Sequence, residues 1–340
     1  RCREVLSQQT AAEHRTVLLT ADYSQVELRL IAHLSNDAAL CAALSGCAVT
    51  SPDPGIDTDA SALPAAGGGT AGKMGLLGPA QADDNDSAQA DEAEDVFKCL
   101  AMQWKGRKST AEVTPTERKQ IKQLCYALLY GAGVGTLARE MGVSLAQAGQ
   151  MLRDFLGTYP GIPRYMRSVV VRCRRDGFVE TLLGRRRYLP NINIKPRAAG
   201  VGPNQQEATK LRLQAERQAV NSVCQGSAAD LIKLAMVNID HQLAELSLSS
   251  TGHRSCPGGG LYQQMPASEC TARLVLQVHD ELIYEVQESH LSTVASIVQR
   301  CMENAISLGN VPLKVKMHSG SSWDKLSPYS PNGALASGHV

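Results

Sequence analysis

The apolar, partly β-branched run Val17-Leu18-Leu19-Thr20-Ala21 predicts a buried strand. It leads into the polar stretch Asp22-Tyr23-Ser24-Gln25, then into an amphipathic helix with Leu28, Ile31, Ala32 and Leu34 on its apolar side. Far along the chain, Leu274–Val278 and Leu282–Val286 read as the two strands of a hairpin with His279-Asp280-Glu281 at its tip. Lys314-Val315-Lys316-Met317 predicts a last strand. In the middle, Thr114-Pro115-Thr116-Glu117 is a capping box with Pro at the first helical position, and Gly131 is the matching stop. Ile121, Leu124, Cys125, Leu128 and Leu129 give that helix its apolar side. The pattern is therefore mixed α and β, without an internal repeat. Residues 45–93 break it. Ser51-Pro52-Asp53-Pro54-Gly55, Gly67-Gly68-Gly69 and Asp83-Asp84-Asn85-Asp86 show no period, and the segment has no aromatic residue, so it reads as a disordered insert. Residues 195–206 and 247–266 read as loops.

Charge changes this picture. The 340 residues carry a formal net charge of only +1, which at first sight speaks against a nucleic-acid partner. The average hides a division: Lys98–Arg217 holds 22 Lys+Arg against 8 Asp+Glu, and the remainder holds 12 against 25. Nine of the 14 aromatic residues also fall between Phe97 and Tyr188. The ten cysteines form no CxxC pair, which favours reduced thiols inside a cell over disulfides or zinc. No apolar run is long enough to span a membrane, and an N-terminus without an initiator Met or a signal segment is expected of a fragment.

Three constellations could carry chemistry. Asp22, at a strand end, reads either as a helix cap or as a metal-binding carboxylate beside the peptide oxygen of Tyr23. Arg118, Lys122, Tyr126 and Tyr130 recur every fourth residue and share a helix face. Such a row is either a solvated basic face or cations for a polyphosphate with a ring on which a base can stack. Val278-His279-Asp280-Glu281 is either turn chemistry or a display of metal ligands. Arg217, Asn221 and Gln225 form a further polar helix face, and Gly184-Arg185-Arg186-Arg187-Tyr188 is a basic cluster beside an aromatic ring.

Taken in order, these residues resemble family A DNA polymerases. Asp22–Arg29 resembles the first palm motif. Arg118, Lys122, Tyr126, Tyr130 and Gly131 fit the fingers-helix motif RxxxKxxxFxxxYG with Tyr at the aromatic position, and Val278–Glu281 fits the last palm motif. Gly184–Tyr188, Arg217–Asn221 and Gln225-Gly226 match further family stretches, with details closest to the eukaryotic nuclear branch, the nu and theta polymerases.

The resemblance implies an α+β right-hand fold, with an antiparallel palm sheet, a mostly helical fingers subdomain and no thumb in this chain. Palm residues would lie in 1–44 and 271–330, and fingers residues in 94–246. A loop insert would occupy 247–270 and a tail 331–340. It also implies DNA-templated addition of dNMPs to a primer 3′-OH, in the nucleus, in repair or translesion synthesis. The partners are primer–template DNA and dNTPs, with no membrane, and protein partners stay open. The cofactor is two Mg²⁺ ions, with Mn²⁺ as a substitute, held by Asp22, Asp280 and the Tyr23 carbonyl, with Glu281 close by. Arg118 and Lys122 would grip the triphosphate, and Lys122 would protonate pyrophosphate. Tyr126 would pack on sugar and base and confer tolerance of dideoxynucleotides. Glu27, hydrogen-bonded to Tyr130, would be the gate against a ribose 2′-OH, with Gln25 beside the nucleotide. Arg185, Arg217, Asn221, Gln225 and His279 would touch the duplex. Without a thumb, such a fragment is expected to extend primers poorly. A non-catalytic DNA-binding or scaffolding fragment is the alternative.

Overall fold

Val17, Leu19, Ala21 and Tyr23 alternate inward along the first strand, and Thr20 between them is buried as well, as befits a strand with sheet on both sides. The computed structural model describes residues 15–46, 95–195, 204–251 and 272–331. In chain order the elements are β1 (Thr16–Tyr23), α1 (Val26–Ser35), α2 (Ala38–Ser45), α3 (Val96–Lys105), α4 (Pro115–Leu129), α5 (Val134–Met141), α6 (Leu145–Thr158) and α7 (Gly161–Asp176). They continue with β2 (Phe178–Glu180), β3 (Arg186–Tyr188), α8 (Gln205–Thr251), β4 (Ala272–Val278), β5 (Glu281–Gln287), α9 (Leu291–Glu303), β6 (Val315–Gly320) and β7 (Leu326–Pro328). The expected disordered insert lies almost wholly outside the described residues; Ser45 ends α2, and Gly46 caps it in the left-handed conformation. The expected loops flank α8, but the helix reaches into both stretches, at 205–206 and 247–251.

The chain forms two compact units. The first contains residues 1–26, 228–308 and 312–340. Its sheet has the order β4-β5-β1-β6-β7, antiparallel throughout. Helix α9 packs on β1, β5 and β6 through Val294, Ile297, Val298 and Met302. The Tyr23 hydroxyl is fixed in that layer by donating to the Met302 carbonyl at 2.8 Å, and burial pushes its pKa up. A bulge between Leu274 and Leu276 breaks the ladder of the edge strand β4.

The second unit contains residues 27–227 and 309–311. Tyr165, Val169 and Cys173 line one face of α7 and pack with Val179, Leu189, Ile192 and the α8 residues Ala215, Ala219, Val220 and Val223. One carboxylate ties two helix starts together. Asp37 caps α2 by accepting from the Leu40 amide at 3.0 Å, and its other oxygen accepts from the Gly161 amide at 2.7 Å, where α7 begins. A Cβ on Gly161 would lie 2.7–2.9 Å from Asp37, so only glycine allows this approach. Arg29, wholly buried among the leucines of α1, donates to the Leu44 carbonyl at 3.2 Å.

Candidate active site

In the first unit, Asp22 lies on the central strand, opposite Glu281 of β5 and Lys316 of β6. Val278 pairs with Glu281, so His279 and Asp280 form a two-residue hairpin turn. The Tyr23 amide donates to the Asp280 carbonyl at 3.4 Å. This strand order brings Asp22 beside Asp280, and their side chains are hydrogen-bonded to each other. Burial pushes the Asp280 carboxyl above the ordinary carboxylate range, opposed by its own amide, by His279 and by the bond to Asp22. Neighbouring carboxyls disfavour each other's charged form, and a compensating positive charge relieves this. Their oxygens suit a hard divalent cation. Glu281 does not extend the pair: among the described residues no three His, Cys, Asp or Glu side chains cluster as a metal site. Tyr23 has its side chain committed to the core, which leaves only its main chain near the pair.

The backbone at this end of the sheet is unusual. His279 (φ 53°) and Gln25 (φ 51°) are two of the three non-glycine residues with positive φ among those described. Such conformations ordinarily select glycine, and an observed departure of this kind is a pointer to function.

In the second unit, α4 begins with the expected capping box: the Thr114 hydroxyl accepts from the Glu117 amide, and Glu117 accepts from the Thr114 amide. The Arg107 guanidinium, with the Thr114 amide and hydroxyl both donating to the Glu117 carboxylate, lowers that carboxyl to about 2. Arg118, Lys122 and Tyr126 are half-buried along one face, and Tyr130 is exposed at the C-terminal end. The Tyr126 ring stacks on Tyr130 (centroids 6.2 Å apart, 17° between planes) and meets Phe97 at 6.2 Å on another side. Arg118 is ion-paired with Asp95 at 2.5 Å, whereas Lys122 has no acidic partner at ion-pair distance among the described residues. Asp95 also caps α3. An Asp immediately before the apolar start of α3 is a legible cap signal; its pairing with Arg118 is not legible in the sequence.

The Tyr130 hydroxyl donates to Glu27 at 3.3 Å, as expected. Behind Glu27, the Cys224 thiol of α8 donates to its carbonyl at 3.4 Å, and burial raises that thiol's pKa. Gly131 has φ 64°, and a Cβ there would touch the Arg217 side chain at 3.4 Å, so α4 ends against the polar face of α8. Arg185 donates to the Gly226 carbonyl at 3.0 Å, which brings the basic cluster to the same helix. Arg217 and Gln225 are exposed, whereas the Asn221 side-chain oxygen is buried with no hydrogen-bond partner in the structure. The structure thus joins Glu27, Tyr130, Gly131 and Arg217 in one unit, and Asp22, Asp280, Glu281, His279 and Gln25 in the other.

The family model for DNA polymerase family A matches residues 81–325. This chain belongs to that family. Its similar proteins include mouse DNA polymerase theta, 36% identical over 92% of this chain and 10% of that protein. DNA polymerase I of Bacillus caldotenax is 31% identical over 92% of this chain and 26% of that protein. Among solved structures, the POL domain of Pol1 from M. smegmatis, in complex with DNA primer-template and dNTP, matches with a TM-score of 0.62 at 31% identity. That match covers 92% of this chain and 40% of the solved one. The chain therefore spans well under half the length of each of these family A polymerases. The family fold agrees with the mixed α+β architecture expected from the motifs.

Proposed function

We propose that the chain is the nucleotidyl-transferring part of a DNA-templated DNA polymerase, adding dNMPs to a primer 3′-OH. The observation that carries this reading is the Asp22–Asp280 pair: in a family A chain, the order of the sheet brings the two carboxyls together, and burial disfavours the charged form of Asp280. Asp22 and Asp280 would hold two Mg²⁺ ions, or Mn²⁺ in their place, with the Tyr23 main chain and Glu281 nearby. When bound, the ions supply activation of the attacking hydroxyl and neutralise charge on the leaving phosphate.

The second unit would bind the nucleotide. Arg118 and Lys122 grip the triphosphate, and Arg118 exchanges Asp95 for phosphate oxygens as it does so. Lys122 gives a proton from Nζ to the departing pyrophosphate. Tyr126 packs on sugar and base, and Glu27 closes the space a 2′-OH would need. Gln25 is assigned beside the nucleotide, and Arg185, Arg217, Asn221, Gln225 and His279 are assigned to primer–template DNA. The solved relative's complex with primer-template and dNTP supports these ligand classes. The theta proteins from mouse and Drosophila melanogaster support nuclear repair or lesion-bypass synthesis as the setting.

Single-turnover primer extension with enzyme in excess tests the reading, because excess enzyme offsets weak primer–template affinity. Mg²⁺-dependent addition of the templated dNTP is expected, with Asp280→Asn abolishing extension and leaving DNA binding intact. Extension retained in Asp280→Asn overturns the metal assignment. A ribonucleotide preference would favour an RNA polymerase instead, and the Glu27–Tyr130 bond speaks against that.

A further inference from the structure

We propose that the outward face of α7 binds the sugar–phosphate backbone of a single nucleic-acid strand, as a contact separate from the residues assigned above. Arg164, Arg167, Arg172, Arg174 and Arg175 are all exposed on this helix. At about 100° per residue they fall within about 80° either side of one line along it, so they form a broad basic face that also carries the exposed Val171.

A solvated helix face does not account for this basic face. Cations at a helix C-terminus are favoured by the helix dipole, which explains Arg174 and Arg175. These two are also neutralised, Arg174 by Glu216 at 2.5 Å and Arg175 by Asp176 at 2.7 Å. Arg172 lies close enough to Asp176 to help lower its pKa.

Arg164 and Arg167 have neither excuse. They sit in the N-terminal half of α7, away from the C-terminal end whose dipole favours Arg174 and Arg175. No acidic residue stands three or four positions from either, and among the described residues neither has an ion-pair partner. They are also a like-charge pair at i, i+3, which costs the helix stability. Two uncompensated guanidiniums one turn apart on a rigid helix match the phosphates of a nucleic-acid strand in charge and in donor chemistry.

The inference rests on reading the chain as a DNA-binding polymerase, and the two can fail separately. The test uses the 340-residue chain, its Arg164→Gln/Arg167→Gln variant, and fluorescence anisotropy with an unprimed, labelled single-stranded oligonucleotide from 50 to 200 mM KCl. Loss of two phosphate contacts lowers the slope of log K against log salt by about 1.4, since each contact on single strands contributes about 0.7. Over that fourfold salt range, the variant's affinity then falls about sevenfold less than the parent's. Arg164→Lys/Arg167→Lys is expected to restore the slope, and primer extension by the Gln variant is expected to persist. An unchanged slope overturns the proposal, as does failure of the parent chain to bind single strands. Loss of extension in the parent, with the slope change present, would sink the polymerase reading and leave this one standing.

Discussion

Removing the Tyr130 hydroxyl separates two ways in which Glu27 could discriminate against ribonucleotides. The Tyr130–Glu27 hydrogen bond is long, at 3.3 Å, and Tyr130 is 44% exposed. It therefore belongs at the low end of hydrogen-bond energies, about 0.5–1 kcal/mol. Tyr130→Phe keeps the ring stacked on Tyr126 and removes only the hydroxyl that donates to Glu27. Preference for dNTP over rNTP, read as a ratio of kcat/KM values, is expected to fall about two- to fivefold. Glu27→Ala instead removes the side chain that would collide with a 2′-OH. Steric overpacking costs about 1–3 kcal/mol, so this variant is expected to lose about five- to 150-fold in the same ratio. Because Tyr130 acts by holding Glu27, the double variant should match Glu27→Ala rather than add to it. Single-turnover extension with matched dNTP and rNTP supplies the ratios. A loss in Tyr130→Phe as large as in Glu27→Ala, or strict additivity, would refute the gate.

Three further outcomes follow from the geometry. Asp95→Asn keeps the α3 cap, since Asn caps as well as Asp, but frees Arg118; KM for dNTP is expected to drop up to about fivefold, because a partly buried ion pair contributes about 1 kcal/mol. In thermal melts, Mg²⁺ at a hundred times its Kd should stabilise the parent by about 2.7 kcal/mol and leave Asp280→Asn unmoved; equal shifts in both would count against the site. Glu117, held at about 2 by Arg107 and Thr114 against an ordinary 4.5, contributes stability that is complete above pH 4.5. That contribution is lost as pH falls towards 2, and Glu117→Gln should flatten the helical signal's dependence in that window.

Local signals were the legible part of this chain. Thr114, Pro115, Glu117 and Gly131 mark both ends of α4 because caps and stops are written in adjacent residues. The hairpin around Asp280 was equally plain, since its strands are separated only by their turn. What could not be read is adjacency at a distance. Only the sheet order that puts β1 beside β5 unites Asp22 with Asp280, and no spacing encodes it. The same holds for Arg118 with Asp95, and for Gly161 with Asp37. The α4 row also proved uneven: by spacing its four members are equivalent, but Arg118 is paired and Tyr130 stands at the exposed end. Arg29 carries a further signal, a cation set between Leu28 and Leu30 on a helix with a buried face, which must find a buried acceptor.

The left-handed backbone at His279 and Gln25 bears on engineering of this protein. Glycine or asparagine at either position relieves strain, so a search for thermostability would select those replacements readily. Either replacement changes the residue adjacent to Asp280 or the turn that follows Asp22. A library sorted on melting temperature alone would therefore be enriched in well-folded variants altered close in sequence to the two aspartates, and sorting must read nucleotide addition alongside stability.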